Sequence, residues 1–288
     1  MNTFWQGSYQ KIFLSGSKLY LLIAINVVVF LAINVPAIFE QLIAQSDHVK
    51  AYSIDYLALP AYLPKLLTRF WTPLTYMFMH SGVFHILFNM LWLYWMGQIF
   101  EDFLGYKKIT GLYLMGGLAG ALMYILCFNV FPAFSNSLMF ASAVGASASV
   151  MAVMVATATI VPHYTISLMF IGPVKLKWLV LVYVVLDLFG VTGSNAGGAI
   201  AHLGGALLGF VYIKQLQSGN DWIAAITGLF KKRSKLKVVA NDRSKTATGK
   251  PRQEDIDQIL DKISVNGYDN LSKQEKEILF RASNNNER

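Results

Sequence analysis

The sequence predicts an all-α fold, a polytopic membrane protein with six transmembrane helices and a small helical cytoplasmic tail. Three observations predict it. The 288 residues are 55% hydrophobic and only 14% charged, whereas soluble domains carry about 25% charged residues. The apolar residues come in long runs, none with a Lys or Arg in its central part. Some of the connections between the runs are basic and others uncharged, as expected of a chain threaded back and forth across a bilayer.

A helix needs roughly 20 apolar residues to cross the hydrocarbon. Six stretches meet or approach that length: about 19–39, 82–100, 108–130, 145–162, 177–193 and 197–215. The first, Leu19 to Phe39, is too long for the core of a signal peptide and ends without a small-x-small cleavage site, so it reads as a membrane helix. Lys11 and Lys18 precede it, Lys107 and Lys108 lie between the second and third spans, and Lys175 and Lys177 between the fourth and fifth. The 131–144 and 193–197 connections carry no charge. The positive-inside rule then places both termini in the cytoplasm and requires an even number of spans.

The first outer connection, residues 40–72, is long and rich in aromatics: Tyr52, Tyr56, Tyr62, Phe70 and Trp71. Such residues suit the membrane interface, where the segment is expected to be partly embedded. Past the last span, Lys231 to Arg252 contains nine Lys or Arg against a single acid, Asp242, and so equals the whole net charge of +8. A basic block beside a membrane helix predicts topology or contact with anionic lipid, and no nucleic-acid partner is expected. Further on, Ile256, Ile259, Leu260 and Ile263 share a helical face, and Ser272 with Glu275 forms a capping box. Two short helices around the "NGYDN" stretch follow, too few for a large core. The expected organisation is a six-helix membrane domain (1–215), a basic cytoplasmic linker (216–252) and a small helical C-terminal segment (253–288). The lone cysteine, Cys127, excludes an intramolecular disulfide.

Ionisable and polar groups inside a span are costly and mark function by default. Here they are His85, Asn89, Ser147, Asp187 and His202, with His80 at the mouth of the second span. Spans two, four and six all enter from the outer side, so His85, Asn89, Ser147 and His202 fall within several ångströms of one depth, at about 1.5 Å per residue. His202, Gly205 and Gly209 share one face of the sixth span, and Gly205-xxx-Gly209 is the spacing that lets membrane helices approach closely. Ala148, Ala152 and Ala156 recur beside Ser147 on the fourth. Two such smooth faces would bring a hydroxyl to an imidazole, a nucleophile–base pair for acyl transfer. Asn89, His85 and the Ser147 backbone N–H are the candidate oxyanion donors. Small-residue stripes alone would mean only helix packing, and a lone His is more often a core residue. For Asp187 two roles stay open, orienting His202 or holding a neighbouring segment.

The stretches "HSGVFHILFNMLWLYWMG" (His80–Gly97), "GASASVMA" (Gly145–Ala152) and "AHLGGALLG" (Ala201–Gly209) resemble the rhomboid family of intramembrane serine proteases. The likeness extends over about residues 15–215 and includes motif order, span number and the long first loop. It implies a rhomboid-like bundle with a Ser147–His202 dyad and an oxyanion site of His85, Asn89 and the Ser147 backbone. It also implies transmembrane protein substrates, cleavage near the outer face, and no cofactor or metal. His80, Gly145, Met151, Gly205 and Gly209 are its supporting positions. The chain departs from the family pattern at Ala148, where GxSG has its second glycine and a methyl would crowd the oxyanion pocket. Met151 replaces an aromatic, and Trp71 is followed by Thr72 rather than Arg. The expected location is the inner (cell) membrane of a bacterium. The alternatives are a non-catalytic rhomboid-like scaffold or chaperone, a zinc hydrolase using His80, His85 and His202, and a transporter. The last two lack their motifs and repeats.

Overall fold

A computed structural model describes residues 17–168, 172–229 and 252–284. Helices dominate. The chain divides into two units, Met1–Lys231 and Lys232–Arg288. Lys11 and the basic block from Lys231 to Lys250 lie outside the described residues.

In the larger unit the long helices are α1 (Leu19–Ala44), α5 (Val83–Leu104), α6 (Ile109–Val130) and α9 (Ala196–Gln217), each long and apolar enough to cross a membrane. The fourth and fifth predicted spans are shorter helices: α7 (Ser147–Ile160) has 14 residues and α8 (Leu176–Gly190) has 15. At 1.5 Å per residue α7 is roughly 21 Å long, below the ~30 Å of hydrocarbon. Among the described residues, length alone therefore carries four crossings, not six. The physical reason is packing. Every residue of α7 from Ala148 to Ala158 is buried, with α5, α6, α8 and α9 packed around it. A helix wrapped in protein can begin below the surface, provided the irregular backbone before it is also enclosed.

Small residues make that enclosure possible. A Cβ on Gly205 would lie 2.0 Å from the Ala148 carbonyl oxygen, and one on Gly209 would lie 2.3 Å from that of Ala152. On α6, a Cβ at Gly116 would meet the Ala152 Cβ at 2.3 Å. Backbones this close rely on packing, since lipid offers helices no hydrophobic reason to associate. A buried polar pair ties helices as well: Tyr113 donates to the Met77 carbonyl at 2.9 Å, and Asn26 of α1 donates to the Tyr113 hydroxyl at 3.1 Å. By contrast α1 buries only Leu19, Leu22 and Asn26, and α8 only Leu176 and Val180. Many of their other apolar side chains, among them Val28, Leu31, Ile38, Leu181, Leu186 and Phe189, are exposed, as a lipid solvent allows.

The connection between α1 and α5 is built rather than loose. It contains α2 (His48–Leu57), β1 (Leu59–Pro60), α3 (Leu63–Thr68) and α4 (Thr72–Thr75). Arg69 grips the Asp55 carboxylate with both terminal nitrogens, at 2.7 and 2.6 Å, and Lys65 adds a contact at 2.9 Å. The Trp71 indole donates to the Tyr56 carbonyl at 2.8 Å. β1 pairs antiparallel with β2 (Ser142–Ala143), Leu59 opposite Ala143. The loop thereby holds the segment that leads into Ser147. Between α7 and α8 the sequence suggested a plain basic connection. Instead β3 (Thr165–Leu168) and β4 (Gly172–Lys175) pair antiparallel, with Thr165 opposite Lys175.

After α9, α10 (Trp222–Leu229) follows, and Lys108 and Tyr212 both donate to the Asp221 carboxylate beside it. The smaller unit, taken by itself, is a helical pair of α11 (Gln253–Asn266) and α12 (Lys273–Asn284). Ser272 N–H donates to the Glu275 carboxylate at 2.7 Å and Glu275 N–H to the Ser272 hydroxyl at 3.3 Å, the reciprocal pattern of a capping box.

Candidate active site

Ser147 is the first residue of α7. Its backbone N–H is one of the four at a helix start that have no intrahelical acceptor, and its side chain is half-buried. The turn before it depends on Gly145, whose φ of +132° disfavours any side chain. Gly145 N–H is anchored on the Tyr76 carbonyl at 2.9 Å. A Cβ at Gly145 would lie 2.9 Å from His85 Nε2 and 3.3 Å from Ser147 Oγ. A side chain at this position would meet both the imidazole and the serine hydroxyl.

His85 and Asn89 lie one turn apart on α5, and the Asn89 amide donates one N–H to the His85 carbonyl at 2.8 Å. An amide nitrogen has two hydrogens, so one stays free. Ser81 sits against His85 Nδ1, its hydroxyl at 3.0 Å and its N–H donating at 3.4 Å. An N–H donor at Nδ1 makes that nitrogen the acceptor, which puts the ring proton on Nε2, the nitrogen that faces Gly145. His80 is buried behind it, ring centroids 5.1 Å apart. The His80 nitrogens have no hydrogen-bond partner among the described residues.

Ser147, His202, His85, Asn89, Asp187 and Met151 all line one cavity of about 1340 Å³. The cavity therefore brings together residues from α5, α7, α8 and α9. Ser147 and His202 share it without a hydrogen bond between them; His202 Nδ1 instead lies 2.9 Å from Asp187 Oδ1. A nucleophile–base contact that is open in the absence of substrate is common. Gly205 and Gly209 lie outside the cavity and serve the α7–α9 contact. Among the described residues His80, His85 and His202 form no group able to hold a metal.

One sequence expectation needs correcting. The Ala148 methyl does not crowd the oxyanion pocket: Ala148 is 1% exposed and its Cβ packs on α6, 2.5 Å from where a Cβ at Gly120 would sit. Sequence reasoning also passed over Ser81, Trp92 and Tyr183. Ser81 had a signal, a hydroxyl four residues before His85. Trp92 and Tyr183 meet edge to face, centroids 5.2 Å apart, at the cavity wall between α5 and α8. No local pattern links two residues so distant in sequence.

The family model for the rhomboid domain matches residues 67–218, just over half of the chain. The chain belongs to the rhomboid family. A rhomboid is a multi-pass membrane protein, in agreement with the four long apolar helices. The chain is 29% identical over 221 residues to presenilin-associated rhomboid-like protein A, mitochondrial, of Danio rerio, covering 74% of this chain and 50% of that one. It is 30% identical over 162 residues to RHOMBOID-like protein 12, mitochondrial, of Arabidopsis thaliana, covering 53% and 48%. A shorter match, 32% over 82 residues, is to inactive RHOMBOID-like protein 8 of the same plant, covering 28% and 23%. The chain spans half or less of the length of these relatives. Residues 247–285 match a separate family of unknown function, DUF6576.

Proposed function

We propose that this rhomboid is an intramembrane serine endopeptidase that cuts transmembrane proteins near the outer face of the membrane. The observation that carries the reading is the shared cavity, where Ser147 heads a helix N-terminus within the same walls as His85, Asn89 and His202. In the reaction His202 Nε2 takes the proton from Ser147 Oγ as that oxygen bonds to the scissile carbonyl carbon. The carbonyl π pair moves onto oxygen. The resulting oxyanion is met by the Asn89 N–H, the His85 Nε2–H and the Ser147 backbone N–H. Collapse breaks the C–N bond, and His202 gives its proton to the leaving amine. Water, with its proton taken by His202, then attacks the acyl-enzyme; release of the carboxylic acid returns the proton to Ser147 Oγ.

The proposed topology is six spans with both termini cytoplasmic, α7 and α8 reaching the inner face as short helices. Anionic lipid is the proposed contact of the basic linker. The bacterial inner membrane gains no support from the relatives, since two of them bear the name mitochondrial.

Cleavage of a tagged single-span reporter in liposomes tests the reading. The native chain is expected to cut, and both Ser147→Ala and His202→Ala are expected to lose at least about 10³-fold in rate. Cleavage surviving Ser147→Ala would remove the nucleophile assignment. A second reading, a non-catalytic scaffold, draws on the match to a relative named inactive. It predicts that the native chain binds reporters and cuts none.

A further inference from the structure

Asp187 is an expensive residue where it stands. It lies on α8, a helix whose neighbours in sequence, Leu186, Leu188 and Phe189, are all exposed apolar side chains. A carboxylate on such a helix needs a partner. Its Oδ1 has one, His202 Nδ1 at 2.9 Å, and both side chains are about four-fifths buried. Its Oδ2 is buried without a hydrogen-bond partner among the described residues. The contact spans two helices and opens on the cavity that holds Ser147.

The chemistry of the pair has a direction. An ionised carboxylate only accepts, so the proton between the two groups resides on Nδ1 and the imidazole donates it. A neutral imidazole with hydrogen on Nδ1 has a bare lone pair on Nε2, the form a general base requires. When Nε2 then takes the serine proton, the ring becomes a cation facing a carboxylate. We propose that Asp187 is a positioning residue for His202: it fixes the Nδ1–H tautomer and the ring's orientation, and it stabilises the imidazolium formed during acylation. The two-residue dyad becomes a Ser147–His202–Asp187 triad in this chain. The inference rests on the protease reading above. A plain α8–α9 staple would use the same contact and leave chemistry untouched.

Asp187→Asn separates the two roles, because an amide fills the same space yet can donate to Nδ1 and select the wrong tautomer. The reporter assay is run on the full chain with Ser147→Ala and His202→Ala alongside. Asp187→Asn is expected to lower kcat by at least about 10²-fold, with KM and thermal midpoint little changed. An unchanged kcat, or a raised KM at unchanged kcat, would overturn the positioning role while the silent Ser147→Ala and His202→Ala leave the dyad standing. Retained cleavage in either of those two would overturn the dyad and the positioning role with it. Histidine ¹⁵N spectra of Ser147→Ala, which keeps Asp187, give a readout independent of turnover and of how Asp187→Asn folds. A His202 ring protonated on Nδ1 is expected; one protonated on Nε2 would overturn the proposal.

Discussion

At Ala148 the side chain and the family pattern disagree about what matters. A methyl beside the nucleophile suggested a crowded pocket, yet it fills the groove facing Gly120. Glycine there would leave that groove empty and loosen the first turn of α7. Ala148→Gly is expected to lower stability by about 1–2 kcal/mol, from lost helix propensity and a buried methyl, without raising kcat. Thermal unfolding in detergent and the reporter assay check it together, and a gain in kcat would restore the crowding idea. What was legible at this scale follows from cost. Ser147, His202, His85 and Asn89 stood out because polar groups in apolar runs need a reason, and they share one cavity. Ala148 misled because residue type reveals that a methyl is present, while only the helix rotation reveals where it points. Asp187 was visible as a costly carboxylate; its partner was undecided because α8 and α9 join through a segment whose geometry no periodicity encodes.

Among elements, the long helices were legible from hydropathy, and α7 and α8 were legible as apolar and shorter than the rest, though at 14 and 15 residues they are shorter still than their apolar runs. Hydropathy runs on past a helix end wherever the adjoining loop is itself apolar, as in Ala141–Ala146. The connection between α1 and α5 hid its structure better, since Asp55, Lys65 and Arg69 read as scattered charge. Together they close a clamp: hydrogen bonds first from Arg69 and then from Lys65 hold the Asp55 carboxyl below its ordinary value of 3.8. A carboxyl whose value is depressed on folding adds stability that is fully present above its unfolded value and is lost as pH falls through the folded one. The clamp therefore holds at neutral pH and opens only as pH falls through the folded value, which lies under 3.8. Hydrogen exchange across residues 48–72 is expected to quicken relative to the helices as pH is lowered through that range, after correction for intrinsic rates. In Asp55→Asn it should be fast already at pH 7 and show no such step. Equal protection in both proteins at neutral pH would mean that β1 and the Trp71–Tyr56 bond suffice to hold the loop.

For the whole molecule, the sequence divided the chain by charge and the fold divides it by packing. The basic block begins at Lys231, and the two units separate between Lys231 and Lys232. The larger unit includes every residue of the cavity and the close α7–α9 contact. It also includes the Lys108 and Tyr212 bonds that fix Asp221 beside α10. The smaller unit draws its order from local terms, the Ser272–Glu275 cap and the Lys262–Glu275 ion pair at 2.8 Å. Neither set of interactions uses a residue of the other unit. A chain ending at Lys231 should therefore insert, fold and cut the reporter at a rate within about twofold of the full chain, as expected of a domain with its own core. A large fall in kcat together with an unchanged thermal midpoint would assign the tail a direct part in turnover. A rise in KM alone would make the tail, and the DUF6576 segment within it, a device for presenting substrate rather than for cutting it.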